Sequence, residues 1–244
     1  MVDKSGFETK VELIIIGVDA LKYGHMNQFP LKVRGEQLIL LPEKAIFWPD
    51  ENVLFVSDIH LGKSSVDSHH IKGLNNELVT YELERISALI LKYKIKILGV
   101  TGDMFHRKAE HNWQSYLSWR NQFPKVKIEL AVGNHDSSLL TNIQKLDVRI
   151  REEIFLGPFQ LQHYPAKESE TGKYILAEHL HPVILVNNKV NREKAYSPCF
   201  VVGEQRSILP AFGTMARTGS IQPKQDDRLF VVESGQISEW SLFD

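Results

Sequence analysis

Five short motifs in this chain carry residue types that could hold metal ions, and they follow one another in order. They are Asp58-Ile-His60, Gly102-Asp103, Gly133-Asn134-His135-Asp136, the single His163 and His179-Leu-His181. If the first and last lie in extended backbone, residues two apart point to one face, so Asp58 and His60 can converge on an ion, as can His179 and His181. Gly102 and Gly133 free the backbone for sharp exits beside Asp103 and Asn134. Carboxylate, imidazole and amide oxygen together suit Mn²⁺, Fe, Zn²⁺ or Mg²⁺ better than copper or an iron–sulfur centre. Seven candidate ligands are too many for one tetrahedral ion and suit two ions that share a carboxylate. Such a pair, roughly 3.5–4 Å apart, can clamp the attacking and leaving oxygens of phosphoryl transfer.

Taken singly, each motif has a plainer reading. A D-x-H pair can cap a turn, GNHD can be a turn in itself, and a lone histidine such as His163 is more often a satisfied core residue. The ordered set, each member following an apolar run, is what outweighs those readings.

Composition narrows the alternatives. There is one cysteine, Cys199, against ten histidines, so neither an intrachain disulfide nor a thiolate zinc cluster is available. Lys and Arg number 29 against 30 Asp and Glu, a net charge of −1, which excludes a blanket basic coat for nucleic acid but not a local groove. The longest apolar run, LIIIGV at 13–18, is far shorter than the roughly 20 residues of a membrane span, and no signal-peptide pattern precedes it. A cytoplasmic protein with no membrane partner is the expectation. Residues 1–25 fit the rest poorly, and Met26 opens a strand-like segment. We therefore expect 1–25 to be an N-terminal extension and 26–244 a single domain.

The motifs need elements to carry them. Apolar runs at 52–58, 94–103 and 125–136 each end in a polar motif, as strands of an open α/β sheet do where they meet a ligand. Residues 75–93 predict a helix with Val79, Leu83, Ile86, Ile90 and Tyr93 on one face, and Glu77, Glu82 and Glu84 towards its start. Further helices are expected over 111–122 and 137–146, the latter capped by Asp136 or Ser137. Trp113, Tyr116 and Trp119 have the helical spacing of core residues more than of a base-stacking surface. The second half is strand-rich, with 187–197 read as a surface loop, so a second sheet packed on the first is expected.

The order DIH (58–60), GDMFHR (102–107), GNHD (133–136), His163 and EHLH (178–181) resembles the calcineurin-like metallophosphoesterase superfamily. FWP (47–49), DIHLGK (58–63), HYP (163–165), HLHP (179–182), PCF (198–200) and LPAFG (209–213) make it most similar to the prokaryotic ligase-associated DNA-damage-response endonucleases. The resemblance implies a four-layer α/β/β/α sandwich with two mixed β-sheets. It also implies two divalent metal ions, manganese first, with iron, zinc or magnesium as alternatives. One ion would be held by Asp58, His60, Asp103 and His181, the other by Asp103, Asn134, His163 and His179. A hydroxide bridging the two would attack phosphorus. His135 would serve the leaving oxygen, and His106 would orient His135 or contact phosphate. Arg107 would bind a nonbridging oxygen or pair with a carboxylate.

The implied activity is that of a DNA endonuclease or phosphodiesterase in repair, linked functionally to an ATP-dependent DNA ligase, a helicase and a nuclease. Lysines and arginines at 92, 94, 96, 107, 108, 120, 125 and 127 lend modest support to a nucleic-acid partner. A small-molecule nucleotide phosphatase or phosphodiesterase is the alternative, and a non-catalytic scaffold a third reading. Two features depart from the pattern. Glu178 stands where the superfamily has glycine, and 215–220 reads MARTGS after LPAFG.

Overall fold

The computed structural model describes residues 23–63, 72–106, 113–187, 194–214, 219–220 and 223–240. Apolar alternation builds two sheets. The first has seven strands, in the order β2 (Phe29–Val33), β3 (Glu36–Leu41), β4 (Ala45–Trp48), β5 (Val53–Val56), β6 (Ile97–Val100), β7 (Lys127–Ala131) and β8 (Arg149–Arg151). From β5 to β8 the neighbours are parallel, whereas β2 to β5 form an antiparallel meander.

The second sheet begins with β1 (Tyr23–Met26), which pairs with β17 (Gln236–Trp240). It continues through β16 (Arg228–Glu233), β13 (Lys194–Val202), β14 (Arg206–Ile208), β11 (Tyr174–Ala177), β10 (Phe159–Leu161) and β9 (Ile154–Leu156). Off that path, β12 (Pro182–Asn187) pairs with β13 and with β15 (Gly219–Ser220). Parallel β10, β11 and β14 beside antiparallel neighbours make this sheet mixed as well.

Residue parity assigns the faces. Along β5, Leu54 and Val56 face the helices, while Val53 and Phe55 face the other sheet. Between the sheets Phe55, Phe159, Leu161, Tyr174, Phe200 and Phe230 form a dry seam. On the outer face lie α1 (Lys72–Tyr93), α2 (Trp113–Arg120) and α3 (Leu140–Ile143), the last preceded by a tight 3-10 turn over Asp136–Leu139. Among the described residues all three helices cover this first sheet. The outer face of the second buries Cys199, Val201, Leu229 and Val231 under Ile184 and Val186 of β12. The expected α/β sandwich of two mixed sheets is what the chain forms.

Several local expectations need correction. Helix α1 buries Val79, Leu83, Ile86, Leu89 and Ile90 as its periodicity predicts. It starts at Lys72, however, so no acid lies in its first turn, and Glu82 is buried for another purpose. Tyr116 and Trp119 are core residues, and Arg120 bonds Asp147 Oδ2 at 2.7 Å rather than facing a nucleic acid. Neither Asp136 nor Ser137 caps the next helix, because the Asp136 carboxylate is engaged by Phe105 and Gly133 instead. The stretch read as a loop at 187–197 is half strand, since Lys194–Ser197 pairs with Ile184–Asn187 across a hairpin. Residues 23–25, the end of the expected extension, stand with Met26 in β1, which pairs with β17, and residues 1–22 lie outside the described residues.

Candidate metal centre

The strands β5, β6, β7, β10 and β11 all end at one edge of the sandwich, and the five motifs occupy the loops that leave them. Two of those loops are zipped together by backbone bonds. Asp58 N–H donates to Gly102 O at 3.1 Å, His60 N–H to Asp103 O at 3.0 Å, and Leu61 N–H to Met104 O at 2.9 Å. A third loop locks the first from the opposite side, where Phe212 N–H donates to Ser57 O and Gly213 N–H to Asp58 O. Buried Glu82 holds that third loop by accepting from Thr214 N–H and Thr214 Oγ1, both at 2.7 Å.

Convergence is achieved differently from the extended pairing expected. Asp58, His60, Asp103, His179 and His181 all have positive φ, between 43° and 68°. The left-handed backbone turns each side chain inward one at a time, at a cost of roughly 1–2 kcal/mol per non-glycine residue. Close approach also explains two glycines. A Cβ on Gly133 would lie 2.1 Å from Asp103 Oδ1, and one on Gly102 would lie 2.2 Å from His163 Nδ1. Asp136 then fixes the GNHD turn, accepting from Phe105 N–H at 2.9 Å and Gly133 N–H at 3.0 Å. Its motif position already marked it, but as a helix cap rather than as the clasp between two metal loops.

The side chains gather in two clusters joined by Asp103. In one, His60 Nε2 and His181 Nε2 each stand 3.2 Å from Asp58 Oδ1. In the other, His163 Nε2 lies 2.8 Å from Asn134 Oδ1 and 3.0 Å from His179 Nδ1, with Asp103 Oδ2 at 3.9 Å. Ligand atoms of Asp58, His60 and His181 fall within 4.8 Å of one another, as do those of Asp58, Asp103 and Glu178. All seven sequence-predicted ligands therefore meet. His135 also belongs, its Nε2 3.9 Å from Asp103 Oδ2 and its backbone N–H donating to Asp103 Oδ1 at 2.8 Å. The His106 ring sits 5.0 Å from that of His135. Arg107 lies outside the described residues.

These residues fit a pair of divalent cations. Neither oxygen of Asp58 accepts a well-aligned hydrogen bond, though the side chain is fully buried. Burial pushes the Asp58 carboxyl up, but the His181 and His60 rings beside it outweigh that and hold it below the ordinary carboxylate value. Asp103 moves the other way. Burial, then the charge of Asp58, raises it to about 8. Burial lowers His163 to about 3, with Asp58 opposing, so its ring is neutral and has a lone pair to give. Adjacent carboxylates repel one another unless cations lie between them.

Two residues at the site were not among the expected ligands. Tyr164 packs its ring against His163 and His179, with centroids 4.7 and 4.5 Å away. Glu178 is wholly buried and directs its carboxylate into the centre.

Comparison with known proteins places this arrangement. A family model described as calcineurin-like phosphoesterase matches residues 51–201. Among solved structures, Pseudomonas putida nuclease MPE is similar, with 31% sequence identity and a TM-score of 0.72 over 86% of this chain and 98% of that one. No curated protein matches. Among the described residues no helix is long and apolar enough to cross a membrane.

Proposed function

We propose, from the premise that this chain belongs to the calcineurin-like phosphoesterase family of metal-dependent hydrolases, that it cleaves phosphodiester bonds in DNA at a centre of two divalent cations. The observation that carries this reading is the meeting of seven ligands from five loops around one shared carboxylate, Asp103. Its likeness to a nuclease supports nucleic acid as the substrate class. We also propose a role in repair, linked to an ATP-dependent DNA ligase, a helicase and a nuclease, which the motif resemblance to the ligase-associated endonucleases implies.

When bound, the two cations supply Lewis acidity: they lower the pKa of water and offset charge on the phosphoryl oxygens. Manganese suits the mixed carboxylate, imidazole and amide set. The chain's own groups do the rest. Asp58, His60 and His181 would hold one ion, Asn134, His163 and His179 the other, and Asp103 would serve both. The His135 backbone fixes the rotamer of Asp103 through its hydrogen bond to Oδ1. The His135 side chain, 22% exposed, stands at the open face, where the leaving ester oxygen can take its proton as the P–O bond to it breaks. His106 steadies the His135 ring from behind.

The test sets bis(p-nitrophenyl) phosphate, p-nitrophenyl phosphate, single-stranded DNA and supercoiled plasmid side by side with Mn²⁺ added. We expect hydrolysis of the diester and cleavage of the DNA, both lost on chelation. Cleavage of the monoester alone, or full activity after the metal is stripped, sinks the proposal.

A further inference from the structure

We propose that Glu178 is a further metal ligand, a carboxylate that enters the centre from the position the family pattern gives to glycine. The inference rests on the two-cation reading above and deepens it.

Glu178 follows β11, and its N–H donates to His163 O at 3.2 Å, which turns its side chain inward. No part of it is exposed. Oε1 lies 2.7 Å from His163 Nδ1 on one side, and Oε2 lies 3.6 Å from His181 Nε2 on the other. It falls within 4.8 Å of ligand atoms in two separate groups, His163 with His179 and Asp58 with Asp103. One carboxylate thus looks towards both clusters.

The other buried acids of the described residues show what a structural role looks like. Glu82 receives Thr214 N–H, Thr214 Oγ1 and Arg85 Nη1. Asp136 receives two backbone N–H groups, and Glu129 meets Arg149. Glu178 has none of this. Among the described residues neither of its oxygens accepts a hydrogen bond, and its ion-pair contacts are to His163 and His181. A carboxylate so deeply buried needs a compensating cation, and among the described residues the ion-pair contacts seen for it include no lysine or arginine. With Asp58 and Asp103 it brings three carboxylates to the centre. Three negative charges offset more of the charge of two divalent ions than the two of the common pattern do, so this site should hold its metals more tightly.

The experiment is a calorimetric titration of metal-free protein with Mn²⁺, comparing the unaltered chain with Glu178→Gln and Glu178→Gly. The unaltered chain should bind two ions, and both variants should bind at least one of them about 10–100-fold more weakly. Thermal unfolding gives a second readout. In chelator, Glu178→Gln should melt above the unaltered chain because a like charge has gone, and saturating Mn²⁺ should raise its Tm by less. If Glu178→Gly fails to fold, Glu178→Gln, of the same shape, carries the test alone. Two ions bound at unaltered affinity in the variants would overturn the role of Glu178. An unaltered chain that binds no Mn²⁺ would overturn the two-cation reading, and this inference with it.

Discussion

The seam between the two sheets and the loop edge beside it are built from the same strands on opposite principles. Phe159 in the seam touches Trp48, Phe55 and Tyr174, with ring centroids 5.1, 5.8 and 6.4 Å away, and the Tyr174 hydroxyl and Trp48 indole N–H of that group are hydrogen-bonded at its margin. A few residues further along β5, Asp58 and His60 adopt positive φ and face buried oxygens that no N–H satisfies. The seam is stabilised by apolar area that many residues share, whereas the edge spends stability on a geometry that each residue supplies alone. Loss of one group should therefore separate the two regions cleanly: the seam loses stability and the edge loses chemistry.

The largest effect is expected at the residue that joins the two ligand clusters. Asp103→Asn should lower hydrolysis of bis(p-nitrophenyl) phosphate by at least about 10³-fold, or ~4 kcal/mol of transition-state stabilisation. Stability in chelator should not fall and should rise near pH 7, because burial raises that carboxyl to about 8 and folding of the metal-free chain must take up a proton that Asn does not need. A variant that loses stability and activity together would break the proposed separation. The converse change is Phe159→Ala, in the middle of the seam. It should cost ~3–5 kcal/mol in urea unfolding and leave kcat near normal wherever the chain remains folded.

Lys44 stands beside the loop edge and tests its cost. Its Nζ reaches Gly213 O at 3.5 Å, in the loop that pins Asp58. Burial, and then the charge of Arg85, lowers its pKa from 10.5 to about 8, against opposing pulls from Glu82 and Asp58. Between those two values the unfolded chain holds a proton that the folded chain has given up. Stability in chelator should therefore rise as pH climbs from about 8 to about 10.5, by ~3 kcal/mol at most. Lys44→Met should remove the rise. Parallel urea melts at pH 7.5 and 10 check it, and an unchanged slope in the variant would place the titration elsewhere.

Much of this division was legible in the residues. Apolar runs ending in polar motifs located β5, β6, β7 and β11, because a strand buried on both faces leaves a continuous apolar signature. The ligand types were legible for a chemical reason: few other uses bring carboxylate, amide and imidazole together in that order. The way they converge was not. D-I-H and H-L-H contain no glycine, and nothing local announces left-handed backbone at five non-glycine positions, which only the surrounding hydrogen bonds enforce. Glu178 was visible as a departure from a pattern, but its burial depends on how β11 meets the His163 loop. Asp136 looked like a cap because Asp before a helix usually is one; its true partners, Phe105 and Gly133, include one 31 residues away.

The smallest expected effect probes the edge itself. His106 N–H donates to Leu61 O at 2.9 Å, so its backbone belongs to the zipped loops, and its ring lies at 30° to that of His135 with centroids 5.0 Å apart. No ligand cluster requires it. If it acts by steadying His135, His106→Ala should lower kcat about 10-fold with Mn²⁺ affinity unchanged, or ~1.4 kcal/mol. His135→Ala, which removes the proton donor, should cost about 10²-fold or more. The double variant decides between a shared and a separate role. Residues that act as a unit are not additive, so it should be no slower than His135→Ala alone. A double variant slower by the product of the two losses would mean that His106 meets the phosphate on its own account.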